Sequence, residues 1–136
     1  VLAHDELTVL QRNSEDGVVL GTGSVAGAEA EQFEAAWREA LDGTDYDLSD
    51  VEFVATGSRK AEEAGLLDAA ETLDLCVVSF QKETLEEFEG PTPSRSRELI
   101  GWPGIAESSA IAGGREHDLL VEKTSYEDAV TVAVGR

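Results

Sequence analysis

Lys60 and Glu63 stand three residues apart just beyond Thr56-Gly57-Ser58, with Arg59 beside them. On a surface, a pair at i, i+3 near a helix start is an ion contact worth well under about 1 kcal/mol. The pair stands out because cations are scarce: 10 Lys and Arg face 29 Asp and Glu, for a formal net charge of −19. The remaining candidates are placed sparingly, with Arg95 and Arg97 after Pro93-Ser94, and Lys123 closing the apolar run that begins at Leu119. Upstream, Val18 to Gly21 empties into Thr22-Gly23-Ser24, the same tripeptide that follows Val51 to Ala55. Glycine at such exits lets the backbone pass close to a ligand, and the N-terminus of a following helix attracts anions. This is a geometry open to an anion, and not yet a chemistry.

Other chemistries fit poorly. Gly21-x-Gly23-x-x-x-Gly27 has the wrong third spacing for a dinucleotide fingerprint, Thr56-Gly57 replaces the acid expected after the second strand, and no Gly-Lys-Ser/Thr phosphate loop occurs. His4 and His117 lack ligand-spaced companions, so they read as surface residues and no metal is expected. Asp45, Asp47 and Asp50 echo part of a calcium loop, but Asp50 and Thr56 stand where the Gly and closing Glu belong. The single Cys76 excludes an internal disulfide and, inside Leu75 to Phe80, reads as a small core residue instead of a catalytic thiol. No cofactor is expected.

The elements that must position the candidates follow from periodicity. Strands are expected at Val18–Gly21, Val51–Thr56, Leu75–Phe80, Leu119–Glu122 and Val130–Val134, with an arm strand around Leu7–Leu10. Helices are expected at Ala28–Leu41, with Ala30, Phe33, Trp37 and Leu41 on one face, and at Glu62–Leu73, with Leu66, Leu67, Ala70 and Leu73 inward. Shorter helices are expected at Glu83–Glu89 and Ile105–Ala112. This alternation predicts an α/β fold: three layers, α/β/α, around a mixed, mostly parallel sheet. If the first three strands are parallel, the exits at Thr22-Gly23-Ser24, Thr56-Gly57-Ser58 and Ser79-Phe80-Gln81-Lys82 share the edge where ligands bind in such folds.

At 136 residues and 41% hydrophobic, the chain fits one domain, read as residues 18–136 behind an arm or linker at 1–17. There is no membrane-length apolar run and no basic region leading an apolar one at the start, so a cytoplasmic protein is expected. The chain has no Met, which fits either a removed initiator or one piece of a longer protein. The acidity argues against nucleic acid and membrane surfaces as partners. It suits a halophile's protein, because at roughly 1 M salt the Debye length falls to about 3 Å and surface carboxylates hardly repel.

Taken in order, these pieces resemble the family of the C-terminal domain of the cobalamin-biosynthesis protein CbiG and its free-standing relative CobE. The opening strand, Gly-x-Gly-Cys and helix are similar to Val18–Trp37, with Gly21, Gly23, Gly27, Glu31, Glu34, Ala35 and Ala36 in matching places. A Lys-x-x-Glu-x-Gly-Leu segment is matched by Lys60, Glu63, Gly65 and Leu66. A Pro-Ser loop followed by Gly-Val-Pro-x-Val-Ala-Glu resembles Pro93-Ser94 and then Gly101-Trp102-Pro103-Gly104-Ile105-Ala106-Glu107. Leu119–Lys123 and Thr131–Gly135 are similar to the family's ending. The resemblance covers Val18 to Arg136. Three departures stand out: Ser24 replaces the family's cysteine, Val25-Ala26 its common basic pair, and the Pro-Ser loop is about one residue short.

The resemblance implies a role in building the corrin ring, on or around an anionic cobalt-precorrin intermediate, with other CbiG domains or corrin-pathway enzymes as partners. CbiG is a cobalt-precorrin-5A hydrolase: it opens a δ-lactone and releases acetaldehyde. That activity needs a base for water and a donor or cation for the developing oxyanion. By resemblance, Glu63 and Lys60 take these catalytic roles, while Gly21, Gly23, Ser24, Arg59, Ser94, Arg95 and Lys123 bind substrate. Two alternatives stand beside it: a non-catalytic accessory whose cations hold the corrin's peripheral carboxylates, and an unrelated nucleotide-binding α/β module.

Overall fold

β-Branched and apolar runs build one sheet, and amphipathic segments between them build the helices. The computed structural model describes residues 2–3, 17–24, 27–57, 63–88, 105–114, 116–127 and 129–136. In chain order these form β1 (Leu2–Ala3), β2 (Val18–Ser24), α1 (Ala30–Asp42), a 3-10 turn (Leu48–Asp50), β3 (Val51–Gly57) and α2 (Ala64–Thr72). Then come β4 (Val77–Phe80), α3 (Lys82–Glu86), α4 (Ile105–Gly113), β5 (Leu119–Tyr126) and β6 (Val130–Gly135). The sheet order is β1-β4-β3-β2-β6-β5. β1, β4, β3 and β2 are parallel, β6 runs antiparallel to β2, and β5 antiparallel to β6.

Successive strand residues point to opposite faces, so neighbours along β2 and β3 join different cores. Leu20, Val54, Val132 and Val134 pack with Phe33, Trp37 and Leu41 of α1 and with Leu66 and Ala70 of α2. Val19, Phe53, Ala55, Val78 and Phe80 pack with Leu85 of α3 and Ala112 of α4, and Ala133 with Ala106 and Ala110 of α4. The expected three-layer α/β architecture with a mixed, mostly parallel sheet is therefore the observed one. The parallel core requires right-handed crossovers, which place α1 and α2 on one side and bring strand carboxyl ends and helix N-termini to a common edge.

Element limits differ from expectation in instructive ways. β2 and β3 do not stop at the Thr-Gly-Ser exits: Thr22, Gly23 and Ser24 pair with Val132, Thr131 and Val130, and Gly57 pairs with Phe80. A late partner strand, distant in sequence, extends them. Cys76 is exposed rather than core, because β4 starts only at Val77; its carbonyl accepts from Val54 N–H at 2.8 Å while its side chain faces solvent. β5 runs four residues past Glu122, carried by its pairing with β6. The expected strand at Leu7–Leu10 lies outside the described residues, whereas Leu2–Ala3, within the expected arm, pairs with Val78–Ser79 of β4. No helix among the described residues is long and apolar enough to cross a membrane.

Candidate functional site

The carboxyl edge of β2, β3 and β4 gathers the exits as the sequence suggested. Gly21 pairs with Ala55 and Gly57 with Phe80, so Ser24, Gly57 and Gln81 emerge side by side. Ser24 also pairs with Val130, which brings the turn between β5 and β6 to the same edge. α1, α2 and α3 begin there, after Glu29, Glu63 and Gln81 respectively.

Glu63 is the residue before α2. Its backbone carbonyl accepts from Leu67 N–H at 3.1 Å, its carboxylate does not cap the helix, and its side chain is half-buried at the edge. A carboxylate at this position sits in the favourable end of the helix dipole, where negative charge is stabilised. Two residues on, Gly65 does packing work. A Cβ there would run into the carbonyl of Ala28, so only glycine lets α2 start this close to the loop before α1. Leu66 behind it is buried. Of the Lys60–Leu66 motif, Glu63, Gly65 and Leu66 stand at the start of α2.

Gly21 and Gly23 have similar work. α4 crosses β2 at Gly21, where a Cβ would collide with the Ala106 carbonyl and with Ala110; over Gly23 a Cβ would meet Thr131 Oγ1 at 3.0 Å and Ile105 Cβ at 3.7 Å. Both glycines are buried, so they let α4 dock and leave Ser24, half-buried, as the exposed end of that exit. Lys60, Arg59, Ser94 and Arg95 lie outside the described residues.

Two threonines lock the exits together. Thr56 Oγ1 donates to the Thr22 carbonyl at 2.8 Å, Thr22 Oγ1 donates to the Thr131 carbonyl at 3.1 Å, and Trp37 Nε1 donates to Thr22 Oγ1 at 3.4 Å. Buried hydroxyls must find partners, and these find them across three strands and a helix.

Lys123 stands further along, in edge strand β5. Pairing there jumps from Val121↔Val134 to Thr124↔Val132, so Glu122 and Lys123 together oppose Ala133. The Lys123 N–H donates to Glu107 Oε2 at 3.0 Å. Glu107, in the first turn of α4, is only 2% exposed. Periodicity gave no reason to single it out, although an acid inside the otherwise small and apolar Ile105–Gly113 is itself a signal.

A depression of about 520 Å³ lies elsewhere, lined by Arg38, Leu41, Asp42, Tyr46, Asp47, Leu48 and Ser49. It sits where α1 ends and β3 begins, at the opposite edge of the sheet. Asp47, Ser49 and Tyr46 in its lining are already hydrogen-bonded. Asp47 accepts from the Ser49 hydroxyl and, at 2.9 Å, from the Ser49 N–H, and these bonds hold its carboxyl below the ordinary range. Arg136 donates to the Tyr46 hydroxyl at 3.3 Å. We place the candidate site at the carboxyl edge, where the strand exits and the starts of α1, α2 and α3 converge. Among the described residues, no cluster of three His, Cys, Asp or Glu could hold a metal ion.

Comparison with known proteins agrees on one group. Residues 18–135 match the family model described as the cobalamin synthesis G C-terminus. A protein CobE from Sinorhizobium sp. is 31% identical over 124 residues, spanning 88% of this chain and 80% of its own. The crystal structure of CobE, a protein from the cobalamin (vitamin B12) biosynthetic pathway, superposes with a TM-score of 0.78 at 25% identity, covering 87% of this chain and 88% of that one. Cobalamin biosynthesis protein chiG from Agrobacterium tumefaciens gives a TM-score of 0.67 at 31% identity, covering 86% of this chain and 95% of its own.

Proposed function

This chain belongs to the cobalamin synthesis G C-terminus family, and we propose that it binds an anionic cobalt-corrin intermediate at the carboxyl edge of its parallel strands. The observation that carries this reading is convergence: β2, β3 and β4 deliver Ser24, Glu63 and the start of α2 to one edge. Lys60 and Arg59 lie three and four residues before Glu63 in sequence, and Arg95 with Ser94 and Lys123 supply further donors for the carboxylates that ring a corrin. Cations that meet carboxylates in a desolvated contact form charge-assisted hydrogen bonds, stronger than neutral ones.

The net charge of −19 opposes approach of such a polyanion in dilute buffer. In concentrated salt that long-range repulsion is screened, while close desolvated contacts persist. The acidity supports a protein that works in concentrated salt.

A second reading is favoured by the half-buried Glu63 carboxylate at the same edge. In it, Glu63 takes a proton from water, the resulting hydroxide adds to the lactone carbonyl, and Lys60 steadies the oxyanion. The acyl carbon–oxygen bond then breaks, leaving a carboxylate and a hydroxyl that receives the proton. Binding requires only the cations and the edge, so it is the primary reading.

The deciding experiment is a visible-spectrum titration of a cobalt-precorrin intermediate with this protein in molar KCl. A saturable shift without turnover supports binding alone. Turnover that Glu63→Gln abolishes, with the shift retained, supports lactone opening. No shift at high protein concentration overturns both.

A further inference from the structure

We infer that Glu107 is a positioning residue that sets Lys123 for the anionic ligand; this rests on the corrinoid-binding reading above. Burying an ionised carboxylate costs several kcal/mol unless hydrogen bonds compensate, and α4 is otherwise built of small and apolar residues that dock on the sheet through Ala106 and Ala110. A hydrophobic side chain at 107 would suit that docking. The carboxylate instead accepts, among its contacts, the N–H of Lys123 at 3.0 Å.

The need for that bond comes from β5. Two residues, Glu122 and Lys123, oppose the single Ala133, and a bulge of this kind leaves a backbone group outside the ladder. A buried N–H without a partner is costly, and Glu107 supplies the partner from the helix layer. The conformation of the bulge is thereby fixed by α4 as well as by β6. Regular pairing would alternate Lys123 with its neighbours across the two faces; the bulge re-aims it.

Its position suits the proposed site. Thr124 pairs with Val132, which pairs with Thr22, two residues before the edge at Ser24. That is about 7 Å of strand rise below the edge, within range of a large ligand seated there. Lys123 is half-buried, and among the described residues its ammonium makes no ion pair. A fixed backbone with an uncommitted ammonium is what a carboxylate-binding lysine requires.

The test is a double-mutant cycle in molar KCl, with cobyrinic acid as a carboxylate-bearing corrin probe and its visible spectrum as readout. Glu107→Leu keeps bulk but removes the acceptor, and Glu107→Gln keeps an acceptor oxygen. We expect Lys123→Ala and Glu107→Leu each to weaken binding by about tenfold, and the double variant to lie within about twofold of Lys123→Ala alone. Glu107→Gln should stay within about threefold of wild type. Should Glu107→Leu fail to fold, the same cycle run with Glu107→Ala decides: its loss must vanish in the Lys123→Ala background, and a loss that persists there overturns the positioning role. Wild type that shifts the spectrum while the losses add independently overturns the positioning role alone. Wild type that gives no shift overturns the binding reading and this role with it.

Discussion

The chain leaves two neighbouring parallel strands through the same tripeptide, yet the fold treats the two exits differently. At the first, Thr22-Gly23-Ser24 is strand to its last residue, paired with β6 on one side and lying beneath the start of α4. Its threonine is a junction, accepting from Trp37 and donating to Thr131. At the second, Thr56 is a one-bond tie to the first exit, and the strand ends at Gly57 with only parallel neighbours. Six residues later comes Glu63, at the head of α2. The first exit is therefore framework, and under the proposed function the second carries the site. Identical local sequence has been given two jobs by what packs over it.

Predictions that test this contrast run from stability to fine electrostatics. The largest effect should come from Gly21→Val, which pushes a branched side chain into the Ala106 carbonyl; overpacking against backbone costs about 1–3 kcal/mol and occasionally more. A variant with an unchanged melting temperature would show that α4 does not depend on that close approach. Next is ligand affinity. Lys60→Ala should weaken corrinoid binding about tenfold or more, as expected for one lost charge-assisted contact, while Ser24→Ala stays within about threefold. The reverse ranking would move the site to the first exit.

The threonines give a direct comparison. Thr22→Val leaves the Trp37 indole N–H buried without its acceptor, a loss of about 1–3 kcal/mol, whereas Thr56→Val removes one hydroxyl bond and costs about 0.5–1.5 kcal/mol. Urea denaturation of the two variants side by side checks the order, and equal losses would sink the junction role of Thr22. The smallest effect belongs to the opposite edge of the sheet. Ser49→Ala should let the Asp47 carboxyl titrate nearer its ordinary range, read by NMR. A depressed folded-state value stabilises the protein above the unfolded-state value and loses that contribution as pH falls through the folded one. The destabilisation by Ser49→Ala should therefore be present at neutral pH and fade in acid.

Much was legible in the chain itself. Helical spacing of Phe33, Trp37 and Leu41, the apolar runs at Val18 and Val51, and the alternation Val130–Val134 determine which segments are helix and strand and which faces are apolar, because periodicity of 3.6 or 2 is local. The order of motifs sufficed to place the family. Other features have no local signature. That Cys76 faces solvent depends on where β4 begins, which its parallel pairing with β3 sets. That Gly21 and Gly65 serve helix docking depends on α4 and on the loop before α1. That Glu107 serves Lys123 depends on a register jump in β5 that only pairing with β6 creates. Sequence alone determined the elements and the order of motifs that places the family. Tertiary structure alone decided which glycine, acid and threonine does which work, because each of those roles is a contact with backbone far away along the chain.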